Sequence, residues 1–457
     1  MKKTVYLLLL LLISLSCSTA IKTEPTYEKM KFSSADIALM DRVQRDALKY
    51  FWDFAEPNSL MGRERYHEDF YPKNDAHVIT TGGSGFGLMT ILVGVERGFV
   101  QRKEAVKRLT HIADFLAKAD RHHGAWSHWI DGRTGKTVSF GARDNGGDIV
   151  ETAFLVQGMI AVREYFKNGN AEEKILAKKM DDLWKGVEWN WYTKGGEKIL
   201  YWHWSPINGW EMNHPIKGYD ETLITYILAA ASPTYPIDTE TYYQGFTRNG
   251  GYLTNNTKYG FPLIVKHNGA EEYGGPMFWA HYSYLGLDPT GLSDRYVKNY
   301  FDVNRNHALI QFNYAKENPM KWQGYGENYW GFTASYTRNK DGSVGYNAHN
   351  PKNDHGVVTP TAAISSFPYT PQESMNVLRF LYNEKPEFIG TAGPYDATSI
   401  HYNNWFTPRY LAIDQGTISP MIENYRTGMI WKLFMNAPEI KAGLKKLEFK
   451  SEKYNIK

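Results

Sequence analysis

Hydrophobic residues recur along most of the chain at the spacing of helices with one buried face. In the segment 101–119, Ala105, Leu109, Ile112 and Leu116 fall on one side and lysines on the other. A period of three to four residues is typical of an amphipathic helix. The pattern predicts helices at 33–54, 86–96, 101–119, 149–166, 171–192, 220–231, 238–245, 274–285, 294–316, 371–383, 418–435 and 438–447.

About twelve helices in pairs predict one all-α domain over residues 32–457. No strand–helix–strand alternation and no low-complexity linker interrupt the chain after residue 31. Two concentric rings of six helices, an (α/α)6 toroid, would accommodate that number. Long loops rich in Tyr, Trp, Asn and Gly, notably 322–354 and 391–415, would then form a cleft at one end of the ring.

The N-terminus has the pattern of an export signal. Lys2 and Lys3 precede an apolar run of about ten residues, too short for a membrane-spanning helix, and small residues follow it. Cys17 is the only cysteine and follows Leu15-Ser16, which resembles the lipobox of bacterial lipoproteins. We therefore expect residues 1–17 to be a lipoprotein signal peptide with Cys17 acylated and 18–31 to be a tether; a plain cleaved signal is the alternative.

The composition favours a carbohydrate cleft. The 457 residues are 42% hydrophobic and carry a net charge of only +3, so no basic surface predicts nucleic-acid binding. The chain has 14 Trp and 32 Tyr against 22 Phe. Because the polar tips of Trp and Tyr require partners, part of this excess is expected to line a wet cleft, where aromatic faces stack on sugars.

Acidic residues stand where two of the predicted helices begin. Asp148 is placed to be the N-cap of the helix 149–166, with Glu151 three residues later as in a capping box. Asp144 is not needed for capping and is therefore a candidate catalytic acid. Asp220 and Glu221 repeat the arrangement, so one of them can cap while the other faces the cleft.

Metal and serine chemistry have no matching motif. The histidines never form a His-x-x-x-His pair with a neighbouring Glu, and no Gly-x-Ser-x-Gly elbow follows a strand. No metal, calcium or other cofactor is predicted. Carboxylates in aromatic loops remain, and these are the apparatus of glycoside hydrolysis. Surrounding aromatics would desolvate Glu221 and raise its pKa, as suits a proton donor.

A third acidic stretch, 414–426, is more ambiguous. Glu423 and Arg426 lie one helical turn apart and could simply form an ion pair, whereas Gln415 and Glu423 could equally face the cleft. Each predicted sugar contact could likewise be a core residue instead. The predicted substrate-binding residues are Trp126, His128, Trp129, Arg143, Trp204, Asn213, Tyr219, Trp330, Gln415 and Glu423.

Several linked motifs resemble the glucoamylase-like proteins of glycoside hydrolase family 144. They are Asp144-Asn-Gly-Gly-Asp148, His203-Trp-Ser-Pro206, Gly218-Tyr-Asp-Glu221 and the stretch from Asp414-Gln-Gly416 to Thr427-Gly428. The resemblance runs from about residue 35 to residue 440 and implies an (α/α)6 fold that cleaves β-1,2-glucan. It also implies that catalysis depends on Asp144, Asp148 and Glu221, and that the protein is periplasmic or a lipoprotein.

The sequence therefore predicts an exported, monomeric hydrolase of β-1,2-glucan, endo or exo. Glu221 would be the general acid, and Asp144 or Asp148 would direct water and give inversion. Another (α/α)6 activity, such as that of a uronate lyase, is the first alternative. Against a lyase, the loop that carries Asp144 and Asp148 offers only Arg143 to neutralise the charge of a uronate. A non-catalytic glycan-binding lipoprotein is the second, but three carboxylates in one cleft would cost such a protein desolvation energy.

Overall fold

The computed structural model describes residues 29–69 and 76–457. Residues 32–457 form one compact unit. The predicted signal peptide, Cys17 and most of the tether lie outside the described residues. Within the described ranges, no helix combines the length and the apolar character needed to cross a bilayer.

Helices make up the body of the described chain. The α-helices are α1 (Ser34–Trp52), α2 (Thr81–Glu96), α3 (Arg102–Leu116), α4 (Ile149–Phe166), α5 (Ala171–Lys185), α6 (Leu223–Ala231), α7 (Tyr300–Glu317), α8 (Pro360–Ile364), α9 (Pro371–Glu384), α10 (Ala412–Arg426), α11 (Met429–Met435) and α12 (Pro438–Lys446). Short 3₁₀ helices occur at Trp189–Thr193, Arg248–Gly250, Met277–Ala280, Tyr282–Tyr284 and Pro386–Phe388, and a π-helix occurs at Thr241–Phe246.

The helices form two rings, which confirms the predicted (α/α)6 toroid. The inner elements are α2, α4, α6, the 3₁₀ turns at 277–284, α8 and α10, and α2 and α4 are buried nearly all round. The outer elements are α1, α3, α5, the π-helix, α7 and α9, whose outward faces are polar. Each inner helix packs against inner neighbours and at least one outer helix.

Two glycines explain how closely the inner helices α2 and α4 approach each other. A Cβ on Gly85 would lie 2.3 Å from the carbonyl oxygen of Phe154, and one on Gly158 would lie 2.2 Å from that of Gly85. Any larger residue at either position would force the helices apart. The inner ring therefore closes tightly at this contact.

The inner helices all begin at the same end of the ring. Residues at or just before their first turns, namely Thr80, Glu151, Glu221, Phe278 and Ile413, line one cavity. Because outer helices run the opposite way, every loop that follows an outer helix and precedes an inner one lies at this end. These loops carry most of the acidic and aromatic motifs.

Short antiparallel strands stiffen the loops. They are β1 (Arg65–His67), β2 (Val78–Thr80), β3 (Trp129–Asp131), β4 (Thr137–Val138), β5 (Gly147–Asp148), β6 (Leu200–Tyr201), β7 (His203–Trp204), β8 (Pro215–Ile216), β9 (Thr257–Lys258), β10 (Phe261–Pro262), β11 (Ala334–Arg338), β12 (Val344–Ala348), β13 (Ile389–Gly390), β14 (Gly393–Pro394), β15 (Thr398–Ser399), β16 (Trp405–Phe406) and β17 (Arg409–Leu411). The sheets are β1–β17, β2–β3–β4, β5–β7, β6–β8, β9–β10, β11–β12, β13–β14 and β15–β16.

Several predicted helix boundaries were wrong. The segment 418–435 is two helices, and the first of them, α10, begins six residues earlier than predicted. Helix α2 begins at Thr81 and not at residue 86, so it includes Gly82, Gly83 and Gly85. The predicted helix 274–285 is a pair of 3₁₀ turns, and α8 was missed. Tertiary burial on all sides of α2 overrides the low helix propensity of glycine.

Candidate active site

A cavity of about 660 Å³ opens where the inner helices begin. Its apolar wall is largely aromatic, and its polar wall carries three glutamates, two histidines and two arginines. The lining residues are Glu64, Arg65, His67, Thr80, His128, Trp129, Phe140, Glu151, Phe154, Trp202, Glu221, Phe278, Tyr282, Ala334, Tyr336, Val344, Gly345, Tyr346, Arg409, Leu411 and Ile413. Aromatic faces beside a few converging polar groups are the usual composition of a ligand site.

Asp148 caps α4, as predicted, and also holds a histidine of the cavity. Its Oδ1 accepts the backbone N–H groups of Val150 and Glu151 at 3.0 and 2.9 Å. Its Oδ2 lies 3.1 Å from Nδ1 of His128. Burial acts to lower the pKa of His128, but the negative charges of Glu151 and Asp148 outweigh it and raise that pKa to about 10. The imidazolium in turn keeps the pKa of Asp148 below its usual value.

Glu151 does not complete the predicted capping box. Its Oε2 instead accepts the backbone N–H of Gly82, at the start of α2, at 2.7 Å, and the side chain lines the cavity. Burial raises the pKa of Glu151 to about 7, against the attraction of the His128 charge. Sequence reasoning missed this cavity carboxylate because its position three residues after an N-cap already had a structural explanation.

Asp144 is buried next to Asp148, and neither aspartate is among the residues that line the cavity, whereas His128, which Asp148 holds, does line it. Its Oδ2 lies 3.5 Å from Nε2 of His203, which is also 3.7 Å from Oδ2 of Asp148. Burial, followed by the charge of Asp148, raises the pKa of Asp144 to about 6. The next residue, Asn145, accepts a hydrogen bond from the Ser205 hydroxyl at 2.5 Å, which fixes the loop.

Glu221 faces the cavity, as predicted, but Asp220 does not cap α6, because the N-cap residue of that helix is Thr222 and no side-chain hydrogen bond caps it. Asp220 accepts the N–H and hydroxyl of Thr222, and its other oxygen accepts from Asn268. Burial raises the pKa of Glu221 well above its usual value, and the charges of Asp220, Glu151 and Asp148 act in the same direction. These surroundings therefore favour the neutral, protonated form of the Glu221 carboxyl group.

Among the residues that the structure describes, His128, Asp144 and Asp148 form a group that could hold a cation. Each offers one ligand atom, and these three atoms lie within 4.8 Å of one another. A positively charged His128 already neutralises Asp148 in this arrangement, so the structure explains these residues as a hydrogen-bonded ion pair.

Comparison with known proteins agrees with this architecture. Residues 213–438 match the family profile described as "Putative glucoamylase". A "putative glucoamylase" from Bacteroides caccae, known from its crystal structure, is 53% identical in sequence to this chain. The two structures match with a TM-score of 0.88 over 91% of this chain and 100% of that one. The endo-β-1,2-glucanase from Chitinophaga pinensis, solved with sophorotriose and glucose, is 52% identical, with a TM-score of 0.88 over 93% of this chain and 100% of that one.

This chain belongs to glycoside hydrolase family 144. The family resemblance seen in the sequence is thereby confirmed. The chain is also 44% identical over 445 residues to the exo β-1,2-glucooligosaccharide sophorohydrolase (non-reducing end) of Parabacteroides distasonis. That match covers 93% of this chain but 59% of the curated relative, so the chain spans little more than half of that protein's length.

Two predicted sugar contacts of this family 144 protein line the cavity. The His128 ring packs against Phe140 at 4.1 Å between centroids, and Trp129 meets the same Phe140 edge-on at 4.9 Å. Phe140 itself is half exposed at the cavity mouth. The three rings together form an aromatic wall beside the acids.

Three other predicted aromatic contacts are core residues. Trp126 is fully buried and donates its indole N–H to the carbonyl of Leu116 at 3.2 Å. Tyr219 is fully buried and donates its hydroxyl to Asn304 at 2.8 Å. Trp330 is fully buried in a second cluster of apolar side chains. The prediction that these side chains contact sugar was wrong, because none of them reaches the cavity surface.

Gln415 and Glu423 are also structural. Gln415 donates to the carbonyl of Pro394 at 3.0 Å and is almost fully buried. Glu423 is fully buried and binds Arg97 through two hydrogen bonds of 2.7 and 2.8 Å. A role in the cleft was therefore wrong for both residues. The alternative of an ion pair was right for Glu423, although its partner is Arg97 and not Arg426.

The remaining predicted contacts lie outside the cavity. Arg143 is exposed and pairs with Glu211 at 3.1 Å. Asn213 is exposed and accepts a hydrogen bond from Lys194 at 2.7 Å. Trp204 packs among other aromatic side chains at the surface.

Sequence reasoning also missed the far wall of the cavity. Glu64 and Arg65 come from the loop between α1 and α2, and Tyr346 comes from the β11–β12 hairpin. These positions neither start a helix nor belong to a recognisable motif. Only the fold places them opposite the acids of α4 and α6.

Proposed function

We propose that this protein hydrolyses β-1,2-glucan by carboxylate acid–base catalysis. The observation that carries the proposal is Glu221, which faces an aromatic cavity and whose pKa is raised well above its usual value by burial and by neighbouring charges that include Asp148. The pKa of Asp144, which lies next to Asp148, is raised to about 6. Two carboxyl groups whose environments separate their pKa values are suited to the acid and base roles of one reaction. The substrate is taken from the relatives, which are named as a β-1,2-glucanase and a sophorohydrolase.

Glu221 is proposed as the general acid. Burial raises the pKa of Glu221 and so favours the protonated carboxyl group, which can protonate the glycosidic oxygen as the bond to the anomeric carbon breaks. The leaving sugar then departs as a neutral alcohol.

Asp144 is proposed as the base that directs water. With a pKa of about 6 it is largely ionised above that pH and can accept a proton from a water molecule that attacks the anomeric carbon. Direct attack by water inverts the anomeric configuration. Asp148 is better suited to positioning His128 and the start of α4, because its two oxygens already bind His128 and backbone N–H groups. The alternative is that the two aspartates exchange these roles.

Incubation of the purified protein with linear β-1,2-glucan, laminarin and starch tests the proposal. Thin-layer chromatography of the products should show short β-1,2-gluco-oligosaccharides from the first substrate only. A ladder of sizes would indicate endo cleavage, and sophorose alone would indicate exo cleavage. Hydrolysis of starch or laminarin instead would overturn the assigned linkage.

A glycan-binding protein without activity is the second candidate, and the buried acids argue against it. Keeping Asp144, Glu151 and Glu221 desolvated at one cavity costs stability that a binder would not need. Binding of β-1,2-glucan with no products would favour this candidate.

We also propose that the protein is exported and anchored as a monomeric lipoprotein through acylated Cys17. The proposal rests on the basic start, the short apolar run and the position of the cysteine in the sequence. In cells, Cys17→Ser should move the protein from the membrane fraction to the soluble fraction. Retention of that variant in the membrane fraction would contradict the anchor.

A further inference from the structure

Four aromatic side chains cluster outside the cavity. The ring of His123 stacks on Trp191 with centroids 3.6 Å apart and planes at 13°. Trp204 meets His123 edge-on at 4.7 Å. Trp210 lies against Trp191 with centroids 6.4 Å apart and planes at 30°. We call His123, Trp191, Trp204 and Trp210 the rim aromatic cluster.

The rim aromatic cluster lies at the same end of the ring as the cavity. His123 comes from the loop that follows α3 and precedes α4, and the three tryptophans come from the loop that follows α5 and precedes α6. Both loops therefore run from an outer to an inner helix. Trp202, only two residues before Trp204, lines the cavity itself.

The cluster is fixed to the loop that carries the acids. Trp204 pairs with Gly147 in the β5–β7 ladder, directly beside Asp148. The hydroxyl of Ser205, the next residue, donates to Asn145 at 2.5 Å. A ligand that rests on the cluster would therefore be held at a defined position relative to Asp144 and Asp148.

The exposed chemistry of the cluster suits an uncharged sugar. Trp191 keeps 39% of its surface exposed despite its stack with His123. The loops that carry the cluster and the acids also present polar side chains: Lys194 donates to Asn213 at 2.7 Å, and Arg143 pairs with Glu211 at 3.1 Å. Because these charges are paired with opposite charges or with an amide, they provide hydrogen-bonding groups without a field that would select a charged polymer.

The cavity alone is too small for a long polysaccharide. Its volume of about 660 Å³ lies in the range of small-molecule sites, so a glucan chain must leave it across the surrounding loops. We propose that the rim aromatic cluster is a second glucan-binding site, which holds glucose units of the same chain beyond those in the cavity. This inference rests on the proposed function.

Alanine substitutions at two tryptophans test the second site. Trp191→Ala and Trp210→Ala should each raise KM for long β-1,2-glucan about fivefold to tenfold, because stacking contacts are lost. For a short β-1,2-gluco-oligosaccharide that fits in the cavity, kcat and KM should both stay at wild-type values. Melting temperatures within a few degrees of wild type would show that both variants fold.

Tyr235→Ala is the matched control. Tyr235 is also 39% exposed but lies in the loop that follows inner helix α6, at the opposite end of the ring. Its KM for both substrates should not change. Wild-type kinetics of Trp191→Ala and Trp210→Ala on long glucan, or an equal rise of KM on long and short substrates, would overturn the second site. Failure of the wild-type protein to cleave either substrate would instead overturn the proposed function.

Discussion

The acids at the starts of α4 and α6 and the acids of α10 all belong to inner helices but lie in different places in the molecule. Asp148 caps α4 and Asp220 precedes α6, while Glu151 and Glu221 face the cavity. In α10, Asp414 and Glu423 are almost completely buried and away from the cavity surface. An acid near the start of an inner helix therefore does not by itself indicate a site.

The partners explain the difference. Glu423 accepts hydrogen bonds from two N–H groups of the Arg97 guanidinium and from the side-chain amide of Gln44. The pKa of Glu423 stays below its usual value, since these partners outweigh burial. No arginine or lysine lies among the hydrogen-bond partners that the structure records for Glu221, so its burial favours the neutral acid. The guanidinium partner thus marks Glu423 as a structural acid, whereas Glu221 combines uncompensated burial with a position on the cavity.

Glu221→Gln should give the largest effect on this comparison. The amide keeps the shape but cannot donate a proton to the leaving oxygen, so kcat on β-1,2-glucan should fall about 10³-fold to 10⁴-fold. Steady-state kinetics measures this loss, and thermal melting should show an intact fold because one neutral group replaces another. Near-normal turnover would contradict the assignment of the general acid.

Glu423→Gln should instead affect stability. Removal of the charge leaves the partly buried Arg97 guanidinium without its carboxylate, which should cost about 3 kcal/mol in the free energy of unfolding. Urea denaturation measures the loss, and the folded protein should retain its kcat. Glu104→Gln is the control, because its pair with Lys107 is exposed and should contribute under about 1 kcal/mol. A large fall of kcat in folded Glu423→Gln would break the distinction between the two regions.

Asp396→Asn should have the smallest effect and a defined pH dependence. Asp396 accepts the backbone N–H of Tyr336 at 3.0 Å and lies beside Asp414, and burial raises its pKa to about 6. Folding therefore favours its protonated form, and this contribution to stability is lost as the pH rises from about 4 through 6. The amide stays neutral and can donate to Asp414, so the variant should melt about 2 °C above wild type at pH 8.

Thermal melting of wild type and Asp396→Asn across this pH range measures the effect. The difference between them should shrink toward pH 4, where the wild-type pair is protonated. A variant that is less stable than wild type at pH 8 would show that Asp396 is required as a carboxylate.

The sequence was sufficient for the toroid because periodicity reports which faces of a helix are buried. It was also sufficient for the cap at Asp148, since a helix cap depends on neighbours in the chain. It failed where the deciding partner is distant. Arg97 lies 326 residues before Glu423, and no local pattern connects them.

Aromatic residues show the same limit. Trp126 and Trp129 are three residues apart in one loop, yet Trp126 packs in the core and Trp129 lines the cavity. Composition predicts that some tryptophans face a cleft but does not say which ones. The β11–β12 hairpin that brings Tyr346 over the cavity also has no strong local pattern.

The most direct test of the central claim compares two leaving groups in Glu221→Gln. A nitrophenyl β-1,2-gluco-oligosaccharide releases a stable phenolate and needs no proton from the enzyme, whereas β-1,2-glucan needs one. The variant should therefore hydrolyse the nitrophenyl substrate at close to the wild-type rate while its turnover of the glucan remains severely reduced. An equal loss of activity on both substrates would contradict the role of Glu221 as the proton donor.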